Sequence, residues 1–152
     1  MKNTALCYIE KNGAYLMLHR TKKEKDMNKD KWLGIGGKLE DEESPHDCII
    51  REIAEETALT PKRVRYRGII TFVSDEYGTE YMHLFTCDDF YGEIKEDCDE
   101  GDLCWIEKSK INELPIWEGD KIFFDLLNSE ERFFSLKLVY TKDKLKDYTI
   151  YR

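Results

Sequence analysis

Glu52, Glu55 and Glu56 stand at i, i+3 and i+4, which on a helix gathers three carboxylates within about a 100° arc of one face. Carboxylates this close repel, by about 0.2–0.5 kcal/mol per adjacent pair even in water. A hard divalent cation would offset the repulsion, since Mg2+ takes carboxylate oxygens, water and substrate phosphates as ligands. Such an ion neutralises polyphosphate oxygens and acidifies a bound water, so the chemistry suggested is hydrolysis of a phosphate anhydride. A solvated acidic face accounts for the spacing equally well. The other reactive residues are less suggestive. Cys7, Cys48, Cys87, Cys98 and Cys104 are odd in number and lack C-x-x-C spacing, a pattern that fits reduced thiols in a cytoplasm better than a zinc site or disulfides. His19, His46 and His83 are scattered singly and read as packing or surface residues.

The glutamates need a helix, and the flanking residues supply one. Ser44 is suited to accept from the first free N–H groups, Pro45 fits the first helical position and Asp47 the first turn, which predicts a helix from Pro45 to about Thr57. Ile49, Ile50, Ile53 and Ala54 are expected on or near its buried side. Before it, Trp32 to Gly37 reads as a short strand entering the glycine corner Gly36-Gly37, where bare backbone can turn sharply or approach a ligand. Glu43 lies in the approach loop, and Arg51 within the helix could hold Glu43 or Glu55.

Strands are expected at Thr4–Glu10 and Ala14–Arg20 around an Asn12-Gly13 turn, at Val64–Val73 and Tyr81–Cys87, and at Leu103–Glu107. A second helix over Gly119–Asn128 would turn Ile122, Phe123, Leu126 and Leu127 inward, and a hairpin of Phe133–Thr141 with Leu145–Tyr151 ends the chain. The Lys-rich stretch Thr21–Lys31 lacks an apolar period and reads as an exposed loop, either a solvated charge run or a basic flap that meets phosphates. The expectation is one α/β domain over residues 1–152.

Composition narrows the function. A chain of 152 residues with 41% hydrophobic residues can bury a core, and it has no apolar run of the roughly 18 residues that a membrane helix needs. Met1 to Ile9 is too weakly charged and too short in its apolar stretch for a secretory signal. A net charge of −8 argues against stable binding to nucleic acid and leaves room for a small phosphorylated substrate. Oligomeric state is not readable.

Taken together, Gly37, Glu43, Arg51, Glu52, Ile53, Glu55, Glu56 and Leu59 resemble the Nudix box, G-x5-E-x7-R-E-U-x-E-E-x-G-U with U bulky and aliphatic. Ala58 stands where the family has a glycine that closes the helix in a left-handed conformation, at a cost of roughly 1 kcal/mol or a shifted cap. The resemblance implies an α/β/α sandwich on a mixed sheet and a Mg2+-dependent hydrolase, with Mn2+ as a substitute, acting on a nucleoside diphosphate linked to another moiety. It assigns Glu52, Glu55, Glu56 and the Gly37 carbonyl to the metal and makes Glu43 and Arg51 the orienting pair. Which glutamate is the general base varies in the family. Glu100 is a candidate base and ligand from outside the box, or one more charge in an acidic loop.

The resemblance extends to Lys31-Trp32-x-Gly34-x-Gly36-Gly37-Lys38 and to Trp117-Glu118-Gly119-Asp120, which look like MutT-type oxidised-purine triphosphatases. It implies a nucleoside triphosphate such as 8-oxo-dGTP cleaved to monophosphate and pyrophosphate. Trp117 would stack on the purine and Asp120 would read its N–H groups, with Phe72, Lys23, Gly36, Gly37 and Lys38 around the substrate. Trp117 and Phe72 also suit a core role. Leu33 replaces an asparagine that bonds the base in the human member, and Gly119 replaces a second aspartate, so base recognition must differ in detail. The other readings are a Nudix hydrolase of ADP-ribose, a dinucleotide or a capped RNA end, and a non-catalytic nucleotide-sensing module.

Overall fold

The computed structural model describes residues 1–21, 27–95, 101–129 and 131–152. Its strands are β1 (Lys2–Lys11), β2 (Ala14–Arg20), β3 (Trp32–Leu33), β4 (Ile35–Lys38), β5 (Thr60–Ser74), β6 (Gly78–Tyr91), β7 (Gly101–Glu107), β8 (Phe134–Thr141) and β9 (Lys144–Tyr151). Two helices, α1 (Pro45–Thr57) and α2 (Glu118–Ser129), and a short 3-10 helix, Lys108–Glu113, complete the described elements.

All the strands join one mixed sheet, ordered β3-β2-β1-β6-β5-β8-β9, with β4 beside β1 and β7 beside β2. The pairs β1–β6 and β5–β8 are parallel and the others antiparallel. The β1–β2 hairpin turns on Asn12 and Gly13, with φ of 51° and 77°, the left-handed pair that matches strand twist. Beyond Ile9↔Leu16 the two strands part, and β3–β4 fills the gap: β3 pairs β2 at Leu18 and His19, and β4 pairs β1 at Thr4 to Cys7. The glycine corner is thereby anchored to the middle of the sheet.

Alternation along the strands divides the apolar residues between two layers. Ala5, Cys7, Ile9, Leu16, Leu18, Phe85 and Cys87 pack with Cys48, Ile49 and Ile53 of α1. Tyr8, Tyr15, Met17, Leu84, Leu136 and Leu138 face the other way, onto Phe123, Phe124, Leu126 and Leu127 of α2. The result is the helix–sheet–helix sandwich expected.

Both helices fall where the sequence placed them, with differences of face. Ser44 and Asp47 cap α1 reciprocally, each side chain accepting the other's backbone N–H at 3.0 Å. Its buried stripe is Cys48, Ile49, Ile53, Glu56 and Thr57. Ile50 (48% exposed) and Ala54 lie outside it, because each is one residue, or 100°, past a stripe member. In α2, Phe124 is buried and Ile122 only partly so. Strands β5 and β6 outrun the expected limits, as their register continues from Ser74↔Gly78 to Thr60↔Tyr91 through several bulges. Ala58 keeps the left-handed cap at φ 67°, ψ 5°, its N–H bonded to the Ala54 carbonyl, so the strain is accepted and the cap is unshifted.

Candidate functional site

The glycine corner is shaped so that α1 carboxylates reach backbone. A Cβ on Gly36 would come within 1.9 Å of the Ala5 carbonyl oxygen, so only glycine lets β4 lie this close to β1. The freed Gly36 N–H donates to Glu56 Oε2 at 3.0 Å. Glu56 is 7% exposed. A Cβ on Gly37 would lie 2.7 Å from the Glu52 carboxylate, so that carboxylate occupies the space a side chain would fill. The Gly37 carbonyl faces Cys48, whose Sγ is 3.6 Å away; burial pushes that thiol up to about 11, leaving it a neutral weak donor.

Arg51 gathers the remaining charge. Its Nε and Nη2 bond both oxygens of Glu43 at 2.7 and 2.9 Å, and its Nη1 meets Glu52 at 2.7 Å and Glu55 at 3.2 Å. Nη2 also donates to the Lys38 carbonyl, tying the helix to the end of β4. The Arg51 bonds, with the Glu40 N–H on Glu43 Oε1, hold the Glu43 carboxyl down at about 2, and the same contacts raise the guanidinium above its ordinary range. The repulsion among the glutamates is thus met in part by an arginine inside the chain. Among the described residues no three His, Cys, Asp or Glu side chains already converge as a metal cage. The donor set nevertheless fits a hard divalent ion: Glu52, Glu55 and Glu56 offer only oxygens, and Glu52 sits in a cradle that glycine alone keeps open. The Glu55 side chain, 61% exposed, would turn from Arg51 to join them.

On the α2 side of the corner a cavity of about 550 Å3 opens, lined by Gly36, Gly37 and Lys38 at one part and by Phe72, Trp117 and Asp120 at another. Six sequence-selected residues therefore share one space. Trp117 is both wall and core, 6% exposed and edge-on to Phe72 and Tyr140. Its indole N–H donates to Asn28 Oδ1 at 2.7 Å, and the Lys31 ammonium lies 4.8 Å from the ring centre. Asp120 is 6% exposed; burial pushes its carboxyl up to about 8, with Lys31 opposing in part. At neutral pH it is a carboxylic acid with a donor and an acceptor. A Cβ on Gly119 would lie 2.5 Å from Leu138 and 2.8 Å from the Tyr140 hydroxyl that accepts its N–H, so a side chain there would require those side chains to shift.

Lys23 and Glu100 lie outside the described residues. Arg20, Asn28, Thr4, Glu80 and Met82 line the cavity and were not selected from the sequence. Arg20 was visible only as part of the basic run, Thr4 only as a strand residue, and Glu80 and Met82 carried no local signal. The histidines serve packing: His19 stacks on Trp32 with centroids 4.5 Å apart, His46 meets Phe85 edge-on, and His83 bonds the Tyr66 hydroxyl. Cys7, Cys48 and Cys87 are buried free thiols, and Cys104 is exposed. No helix among the described residues is long and apolar enough to cross a membrane.

Comparison with known proteins agrees with this geometry. The NUDIX domain family profile matches residues 2–127. The oxidized purine nucleoside triphosphate hydrolase of Danio rerio is 33% identical over 114 residues, covering 73% of this chain and 71% of that protein. An uncharacterized Nudix hydrolase of Bacillus subtilis is 30% identical over 116 residues, 74% of this chain and 73% of its own. Among solved structures, the MutT protein from Bacillus halodurans superposes with a TM-score of 0.86 at 27% identity, over 99% of this chain and 97% of that one. With a family match over most of its length and relatives of this kind, the chain belongs to the Nudix hydrolases, enzymes that act on pyrophosphate bonds.

Proposed function

We propose that this protein is a Mg2+-dependent nucleoside triphosphate pyrophosphohydrolase that removes oxidised purine nucleotides such as 8-oxo-dGTP from the cytoplasmic nucleotide pool. The observation that carries the reading is the single cavity lined by both the Gly36-Gly37-Lys38 corner and the Phe72–Trp117–Asp120 wall, which suits a ligand with a phosphate end and a base end. The 33% identity to an oxidized purine nucleoside triphosphate hydrolase supports it.

In this reading Glu52, Glu55 and Glu56 hold the divalent ion, with Mn2+ as a substitute for Mg2+. The ion supplies charge neutralisation and a more acidic water. Arg51 and Glu43 fix the helix face against Lys38, so the carboxylates meet the phosphates in one orientation. Lys38 and Arg20, both at the cavity, offer cations to phosphate oxygens. A carboxylate of the α1 face takes the proton of the attacking water, which displaces a phosphate leaving group in line. At the other end Trp117 and Phe72 give the purine an aromatic wall, and Asp120 offers O–H and C=O to its edge.

The test is a substrate panel of 8-oxo-dGTP, dGTP, ADP-ribose, a dinucleoside polyphosphate and capped RNA, with separate detection of pyrophosphate and phosphate, run in Mg2+ and in EDTA. Pyrophosphate and monophosphate from 8-oxo-dGTP in Mg2+ alone is the expected result. Faster turnover of ADP-ribose or capped RNA, or phosphate as the sole inorganic product, overturns the reading.

A further inference from the structure

The cavity holds a second carboxyl group that the α1 face and the Trp117–Asp120 pair leave unused. On β1 and β6 every second residue faces the cavity or the core beneath it: Lys2, Thr4 and Leu6 on β1, Glu80 and Met82 on β6, with Tyr8 and Leu84 deeper in the same layer. Register places Glu80 beside Lys2 on one neighbour and beside Phe72 on the other, so it shares a face with the aromatic wall. Thr4 donates to Glu80 Oε2 at 2.8 Å across 76 residues of chain, which fixes the carboxylate and leaves Oε1 to accept. Among the described lining residues, Glu80 and Asp120 are the two that bear carboxyl groups, Glu80 from the sheet and Asp120 from α2. Asn28, the lining amide, has its oxygen engaged by Trp117.

Resting on the oxidised-purine reading above, we infer that Glu80 is the specificity-determining residue that senses oxidation, accepting the N7–H that a purine gains when C8 becomes a carbonyl. An unoxidised purine presents a lone pair at N7, and a carboxylate facing it opposes acceptor to acceptor. After oxidation the same contact is a hydrogen bond from N–H to Oε1. The buried, neutral Asp120 complements the other edge without discriminating there: O–H and C=O match the O6 and N1–H of guanine and equally the N1 and N6–H of adenine. With this division of labour, rejection of the unoxidised parents falls to Glu80 on the sheet and not to the Trp117–Asp120 wall. Oxidised guanine and oxidised adenine nucleotides are both substrates, and both unoxidised parents are rejected by the same residue.

The experiment compares the wild type with Glu80→Gln and Glu80→Ala on 8-oxo-dGTP, dGTP, 8-oxo-dATP and dATP. Glutamine keeps an oxygen for Thr4 and brings an amide that donates to a bare N7. We expect E80Q to lower kcat/KM for both 8-oxo substrates about tenfold and to raise it for both parents, while E80A loses the 8-oxo preference with a smaller gain on the parents than E80Q. Thermal melts of both variants identify any loss of fold, and the gain on dGTP in E80Q is a readout that misfolding cannot mimic. If the wild type prefers the oxidised nucleotides and E80Q keeps the ratios unchanged, Glu80 is not the sensor and the enzymatic reading stands. If the wild type shows no preference between 8-oxo-dGTP and dGTP, the oxidised-purine reading and the role of Glu80 fall together.

Discussion

The α1 face and the α2-side cavity meet at Gly36–Gly37 and handle polarity in opposite ways. On the α1 face nearly every charge has a partner: Arg51 alone bonds Glu43, Glu52 and Glu55, and Glu56 holds the Gly36 N–H. In the cavity Phe72 and Trp117 form an aromatic wall, and Asp120 lies 6% exposed beside them, burial pushing its carboxyl up to about 8. A paired, partly solvated network suits a phosphate end, where charge must be exchanged between protein, metal and substrate. A cavity with an aromatic wall and a buried acid suits a base, since an unmatched edge there leaves a buried polar group without a partner.

If the α1 face carries the chemistry, Glu56→Gln should lower kcat by at least about 100-fold, and EDTA should abolish turnover until Mg2+ is restored. Steady-state kinetics with a metal titration checks both. Activity that persists in EDTA breaks the comparison at its charged side.

The cavity side is tested by pH. Asp120 binds a proton in the folded state up to about 8 but loses it at 3.8 when unfolded, so between those values folding takes up a proton and stability falls as pH rises. Relative to Asp120→Asn, the wild type should lose about 1.4 kcal/mol per pH unit across this window and level off above it. Urea melts at pH 5, 7 and 9 measure this. Parallel curves for the two proteins would mean that Asp120 is solvated and charged.

What the sequence made legible follows the same division. Carboxylates at i, i+3 and i+4 after a glycine corner and a Ser44–Asp47 cap are local signals, and α1 with its charged face could be read from them. The exposure of Ile50 could not, because helical period alone leaves a 100° uncertainty over where the stripe is centred. Trp117 and Asp120 were reached only through resemblance, since nothing near them in sequence marks a pocket. Glu80 was not reached at all: its pairing with Thr4 depends on the parallel register of β1 and β6, set by the whole sheet. Gly119 stands out as a departure, but the Leu138 and Tyr140 side chains that crowd it belong to another element.

The smallest effect expected concerns the end of α1, beyond both regions. Ala58 holds a left-handed φ of 67°, so Ala58→Gly should stabilise the fold by about 1 kcal/mol, seen as a higher urea midpoint with unchanged slope. A decrease would show that the Cβ of Ala58 contributes packing that outweighs its strain.

The central claim is that phosphate chemistry and base selection are separable across the Gly36–Gly37 corner. Its most direct measurement is kcat and KM for 8-oxo-dGTP and dGTP in Glu56→Gln and Asp120→Ala, assayed side by side in Mg2+. The account predicts that E56Q lowers kcat for both by a common factor and keeps their ratio, while D120A raises KM for both by about tenfold or more and leaves kcat near the wild-type value. A ratio that collapses in E56Q, or a D120A variant that loses kcat with KM unchanged, would contradict it.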